Sequence, residues 1–172
     1  MKRASSHLPY RTTCMTLAAI TLAACGGGDG PTRPAADATA EQACAALAGK
    51  TVAAAAVTAA TTVAATAAEP LYCKVSATIA PQLHLELRLP QQWNGKLYYE
   101  GGGGYNGAIP PLMGPALKAL QQGYATVNSD SGHTGEGLSA AFALNDPLAA
   151  SLFGSAAVPA VMRCSSGTPK AK

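Results

Sequence analysis

Leu97-Tyr98-Tyr99-Glu100-Gly101-Gly102-Gly103-Gly104-Tyr105-Asn106-Gly107 is an apolar run that rises to Glu100 and then passes through four consecutive glycines. Each glycine in a regular element costs roughly 0.5–1 kcal/mol relative to alanine, so four together exceed what an ordinary turn needs. A strand ending in such a loop can aim bare N–H groups at an anion, either a phosphate or an oxyanion formed during a reaction. A flexible surface loop is the plainer alternative.

Phosphate fits less well than an oxyanion. No Lys-Ser or Lys-Thr follows at the spacing of a phosphate loop, and Pro110-Pro111 blocks the helix such a loop requires. An oxyanion loop of the HGGG type, placed after a strand, matches the order of residues better. Gly102, Gly103 and Gly104 are its candidate donors.

Downstream, Leu112 to Gln122 carries Leu112, Ala116, Leu117, Ala119 and Leu120 and stops at Gly123, predicting a helix that covers a sheet. Tyr124-Ala125-Thr126-Val127-Asn128 reads as a short buried strand. Strand, helix and strand with short joints predict a right-handed crossover and parallel pairing. Ser129-Asp130-Ser131-Gly132-His133-Thr134-Gly135 then falls at the strand end where active-site loops of open sheets gather. Asp130 and His133, three apart, allow two readings. One is a catalytic dyad. The other is an Asx turn closed by Asp130, with His133 packed on the glycine loop.

Upstream, Leu83, Leu85, Leu87 and Leu89 alternate with His84, Glu86 and Arg88, the pattern of a half-buried strand with one wet face. Lys74 to Ala80 precedes it across Pro81-Gln82, predicting an antiparallel hairpin. His84 has no partner at metal-ligand spacing and reads as a solvated side chain. Pro90 ends the strand, and Trp93-Asn94-Gly95-Lys96 turns into Leu97. Thr51 to Thr66, almost all Ala, Val and Thr, is compatible with helix or strand; its β-branched residues favour strand. Glu41 to Ala48 reads as a short helix closed by Gly49.

The N-terminus has a different character. Lys2, Arg3 and Arg11 precede the apolar run Met15 to Ala24, which is far short of the ~20 residues that span a bilayer. Leu22-Ala23-Ala24-Cys25 resembles a bacterial lipobox, which implies a signal peptide over 1–24 and lipid on Cys25. The alternative is a plain signal peptide with a chance cysteine. A Gly/Pro-rich tether continues to residue 40. By analogy with bacterial lipoproteins, Gly26 after the lipidated cysteine implies export across the inner membrane and anchoring at the outer membrane, facing periplasm or exterior. All nine acidic residues follow Cys25, and nine basic residues remain once the signal is removed. The mature chain is formally neutral and shows no basic patch with interleaved aromatics, which argues against nucleic acid.

Three cysteines remain after Cys14 leaves with the signal and Cys25 takes lipid. Cys44 and Cys73 each edge a predicted element ahead of the main fold and are the expected disulfide in an oxidising compartment. That leaves Cys164 as an odd thiol.

Together these residues resemble the tannase/feruloyl esterase family of secreted α/β-hydrolases. The likeness rests on Cys44 with Tyr72-Cys73, Leu87-Arg88-Leu89-Pro90 with Trp93-Asn94-Gly95, Gly101 to Gly104, Gly123-Tyr124-Ala125 with Ser129 to His133, and Phe142-Ala143-Leu144. It covers roughly Cys44 to Met162. It implies an α/β fold, here a truncated α/β-hydrolase sheet with a β-rich N-terminal extension over 41–172. It also implies hydrolysis of small aromatic-acid esters through a serine nucleophile with Asp and His. Gly102 to Gly104 would form the oxyanion loop, and Asp130 and His133 would shape the site. No cofactor or metal is expected in this segment, although the family's later lid domain can carry calcium. In the family the serine stands in a Gly-Cys-Ser-x-Gly-Gly elbow. Arg163-Cys164-Ser165-Ser166-Gly167 echoes it, making Ser165 the candidate nucleophile, but Arg163 and Thr168 replace two of its glycines and no helix can follow. The sequence turns abruptly polar and basic after Met162, so the chain reads as a frameshifted or truncated product of a tannase-like gene, with 163–172 the tail where a frameshift would fall. Residues 25–172 are then expected to lack esterase activity. The alternative from another class is a small non-catalytic envelope lipoprotein, a binding or structural module.

Overall fold

A computed structural model describes residues 39–166. The signal sequence, Cys25 and nearly all of the expected tether lie outside the described residues, as do residues 167–172 of the polar tail. The elements run α1 (Ala40–Ala45), β1 (Thr51–Val52), β2 (Ala55–Val63), β3 (Tyr72–Ile79), β4 (Leu83–Pro90), β5 (Leu97–Tyr99), α2 (Gly114–Gln121), β6 (Ala125–Ser129), α3 (Phe142–Asn145), α4 (Pro147–Ser151), a π-helical turn (Leu152–Ala156) and α5 (Ala157–Ser166). The strands form one sheet in the order β1-β2-β3-β4-β6-β5.

The antiparallel half, β1 to β4, follows from alternation. Val75 faces Leu87 and Ala77 faces Leu85 across the β3–β4 hairpin, while Val57 pairs with Ala77 one strand further out. These residues, with Leu83 and Val127, make one apolar face. Each fully buried leucine there contributes roughly 1.5–3 kcal/mol. The β-branched residues of the Ala/Val/Thr segment decide for strand, as expected, and β2 pairs with β3 along its length with a register shift between Val57 and Ala59. The disulfide joins Cys44 of α1 to Cys73 of β3, with Cα atoms 5.6 Å apart.

α5 covers the apolar face. Ala157, Val161 and Cys164 are spaced four and three apart, so they share one side of the helix, and all three are buried in the core. The stretch Pro147–Ser165 is long and apolar enough to cross a membrane by length and composition, yet this side of it lies buried on the sheet.

β5 and β6 are parallel, with Leu97, Tyr98 and Tyr99 opposite Ala125, Thr126 and Val127. Between them α2 starts at Gly114 rather than Leu112, because Met113 is extended and Pro115 occupies the first turn, where its missing N–H costs nothing. It stops before Gly123, whose φ of +82° only glycine adopts freely. The result is an α/β architecture with a β-rich N-terminal portion.

One sequence expectation changes here. Arg88 does not lie on a wet face, whereas His84 on the same side of β4 remains about half exposed. β4 is an interior strand between β3 and β6, and Arg88 is 2% exposed. Its guanidinium donates to Asn128 Oδ1 at 2.7 Å and pairs with Glu86. Alternation in β4 therefore separates an apolar face from a polar one that is covered at Glu86 and Arg88 and open at His84.

Candidate functional site

The site is built where β4, β6 and β5 lie side by side. The Glu100 N–H bonds the Val127 carbonyl at 3.1 Å, extending the parallel pairing by one residue before the glycines begin. Beneath the loop, Asn128 Nδ2 donates to the Glu100 carbonyl at 3.1 Å, and Asn128 in turn accepts from Arg88. A line of polar contacts thus runs from Glu86 through Arg88 and Asn128 to the root of the loop.

The loop is tightly held. Asn106 N–H donates to Gly103 O at 3.0 Å, Tyr105 N–H to Gly137 O at 2.7 Å, and Gly135 N–H to Gly107 O at 3.0 Å. Asn106 adopts φ +57°, a left-handed conformation that asparagine tolerates better than most residues. Its buried Nδ2 donates to Ser129 O and to Ser131 Oγ, both at 2.9 Å. Two of the glycines are required by close approach: a Cβ on Gly102 would collide with the Asn106 side chain, and one on Gly104 with the Gly137 carbonyl. Gly103 faces open space. Among the described residues, the N–H groups of Gly102, Gly103 and Gly104 meet no protein acceptor. A fixed loop with unspent donors is suited to an oxygen anion.

Asp130 and His133 do not pair. Asp130 is 4% exposed, and its Oδ1 accepts the Gly132 N–H at 2.8 Å, closing the Asx turn that the sequence allowed. The same oxygen accepts the His84 N–H at 3.1 Å, and Oδ2 lies 2.6 Å from His84 Nδ1. His84, read from sequence as merely solvated, is therefore bonded to Asp130, although about half of its side chain remains exposed. His133 stacks face to face on Phe142, with centroids 3.6 Å apart, and meets Phe153 edge-on at 5.9 Å. Tyr105 of the glycine loop reaches the same aromatic group, 6.3 Å from Phe142 and 5.8 Å from Phe153. Both His133 ring nitrogens are buried without a hydrogen-bond partner among the described residues. His133 thus joins an aromatic wedge that also holds Tyr105 of the loop.

Ser165 lies elsewhere. It sits in the last turn of α5, where its Oγ donates to the Val161 carbonyl at 3.0 Å, and it borders an apolar recess formed by residues including Leu47, Leu87 and Cys164. An elbow holds its serine on a sharp turn between strand and helix. Ser165 has helix on its N-terminal side, and α5 crosses the Met162–Arg163 composition break without interruption.

Sequence reading gave His84 no role beyond a solvated side chain and passed over Asn106, Asn128 and Arg88. Asn106 alone left a local sign, in the Tyr-Asn-Gly turn tripeptide. The others act through partners tens of residues away.

The sequence model of the tannase and feruloyl esterase family matches residues 60–168. An esterase of Agrobacterium fabrum, itself described as uncharacterized, is 43% identical over 89 residues, covering 44% of this chain and 16% of that protein. A mono(2-hydroxyethyl) terephthalate hydrolase of Piscinibacter sakaiensis is 35% identical over 81 residues, covering 39% of this chain and 13% of that protein. This chain therefore aligns with only a small part of either curated relative. Among solved structures, an esterase from Aspergillus oryzae superposes with a TM-score of 0.60 at 21% identity, over 73% of this chain and 29% of that one. Feruloyl esterase B from the same organism gives 0.57 at 19%, with the same coverage. At such identities the two structures speak for the fold, and the family match for kinship. The chain belongs to the tannase and feruloyl esterase family.

Proposed function

We propose that this chain supplies the oxyanion loop and the floor of a carboxylic ester hydrolase that cleaves small aromatic-acid esters by a serine mechanism. The observation that carries the reading is the set of unspent N–H groups on Gly102, Gly103 and Gly104, held at the end of β5 by residues 135–137. In acyl transfer the carbonyl oxygen becomes an anion as the nucleophile adds. Donors already fixed about 2.7–3.1 Å from that oxygen stabilise it without reorganising. Asn106 and the Tyr105–Phe142–Phe153–His133 wedge hold the donors in place, and Asp130 fixes the neighbouring turn.

The nucleophile belongs on an elbow, and Ser165 does not occupy one, so serine-dependent turnover is not expected from residues 25–172. The DNA beyond codon 172, translated in all three frames, tests the assignment. A Gly-Cys-Ser-x-Gly-Gly segment, then an Asp and a His-Cys pair, supports the serine esterase assignment. Their absence favours a small envelope lipoprotein. Aryl ester turnover by the purified segment that is lost on Ser165→Ala overturns the inactive assignment. Lipid anchoring through Cys25 is a further part of this reading. Loss of radiolabelled palmitate incorporation in Cys25→Ala is the expected result.

A further inference from the structure

The contact between Asp130 and His84 has the form of a base and its orienter. Asp130 is buried, and its two oxygens receive three contacts: Oδ1 takes the N–H groups of His84 and Gly132, and Oδ2 takes His84 Nδ1. A carboxylate can only accept, so Nδ1 carries a hydrogen, and in the neutral ring the lone pair is on Nε2. No described residue bonds Nε2, and the ring is about half exposed. The imidazole borders a cavity of about 300 Å³ whose other walls are Gln82, His133, Thr134, Phe142, Asp146 and Ala149. Gln82 is itself pinned, its Nε2 donating to Gly132 O and Asp146 Oδ2, both at 2.9 Å. Phe142 gives the cavity an apolar wall, and 300 Å³ is at the lower end of small-molecule sites.

We propose that His84 is a nucleophilic imidazole, positioned by Asp130, that accepts acyl groups from small activated aryl esters. The Nε2 lone pair adds to the ester carbonyl, the carbon–oxygen bond to the aryl group breaks, and the phenolate leaves with the electron pair. The acyl group rests on Nε2 while Nδ1–H stays bonded to Asp130. Water then adds to the acyl carbon and gives one proton to solvent, and the carbon–nitrogen bond breaks with its electron pair returning to Nε2. A carboxylic acid is released, while the phenolate takes up a proton from solvent. The net reaction is ester and water to acid and phenol. The step needs no serine and no glycine loop. It stands apart from the serine mechanism above and departs from the inactivity that the sequence alone implied.

The test is p-nitrophenyl acetate hydrolysis by the full chain. A positioned imidazole should exceed an equal concentration of free imidazole by about tenfold or more. His84→Asn can keep a nitrogen donor towards Asp130 Oδ2 while removing Nε2, so the fold should persist and the rate fall to that of free histidine. If that variant fails to melt cooperatively, the decisive measurement is acyl mass on the wild-type tryptic peptide of residues 75–88, whose only histidine is His84. Asp130 is a positioning residue. Its role is read from the ring nitrogen resonances of His84, which should show hydrogen on Nδ1 and lose that preference in Asp130→Ala. A wild-type rate no greater than free imidazole, an unchanged rate in folded His84→Asn, or an acyl group mapped away from residues 75–88 overturns the proposal. Failure here leaves the glycine-loop reading standing, because the downstream DNA tests that independently.

Discussion

The Cα of Gly102 lies against the side chain of Asn106, with no room for a Cβ between them. Asn106 is the residue that ties the glycine loop to Ser129 and Ser131. An alanine at 102 must displace that amide and break its two hydrogen bonds. Overpacking of this kind costs roughly 1–3 kcal/mol. Gly103, one residue on, has open space where its Cβ would go, and Gly103→Ala should stay within about 0.5 kcal/mol of the parent. Urea unfolding of the two variants side by side measures the contrast. Equal destabilisation would contradict the packing described here.

The disulfide makes a second prediction. Cys44 is buried and anchors α1, a helix of six residues that is too short to persist alone. Twenty-nine positions separate it from Cys73. Loss of a cross-link closing a loop of that size costs about 3 kcal/mol in the chain-entropy view. The double variant Cys44→Ser/Cys73→Ser should therefore unfold at clearly lower denaturant. Dithiothreitol should destabilise the parent chain and leave the double variant unchanged.

Arg88 carries the third. Its guanidinium is almost wholly buried and bonds both Glu86 and Asn128. Truncation leaves a buried amide and a mostly covered carboxylate without their partner. Breaking one side of a buried pair costs about 3–5 kcal/mol, and partial water access to Glu86 places Arg88→Ala at the lower end. Glu86→Gln, whose side chain water can reach, should cost less. Because Asn128 also bonds the Glu100 carbonyl, Arg88→Ala should speed amide hydrogen exchange at the root of the glycine loop. Thermal melts and exchange rates check the two effects.

These residues also show what the sequence could and could not convey. The alternation Leu83-His84-Leu85-Glu86-Leu87-Arg88 specified the β3–β4 hairpin correctly, because period two is a local property of a strand. It misplaced Arg88 and missed the partner of His84, because what a polar face meets depends on which strand comes to lie beside it. β6 enters from about 40 residues away and brings Asn128 and Asp130 to that face. The glycine loop was legible for the opposite reason. Four adjacent glycines mark a special loop by themselves, although what requires two of them, the Asn106 side chain beside Gly102 and the Gly137 carbonyl beside Gly104, left no such mark. Ser165 shows the limit of motif reading. Its neighbours echo an elbow in letters, while the i, i+4, i+7 spacing of Ala157, Val161 and Cys164 places the segment on a helix.

Asp146 supplies a prediction about acid. It precedes α4 as its cap, Oδ1 accepting the Ala149 N–H at 2.9 Å while Oδ2 accepts from Gln82 at 2.9 Å. The Ala149 N–H, and after it the Gln82 amide, hold its carboxyl below the usual carboxylate range. A carboxyl whose folded value lies below its unfolded one stabilises the fold above the unfolded value, about 3.9, and loses that contribution as pH falls through the folded one. Stability from this cap should thus be intact above roughly pH 5 and decline below about pH 4. Asp146→Asn retains an oxygen for the Ala149 N–H but has no proton to take up in this range. The stability difference between parent and variant, from denaturant unfolding across a pH series, should shrink as the solution is acidified. A difference that stays constant down to the acid limb would mean that the charge on Asp146 contributes nothing to the cap.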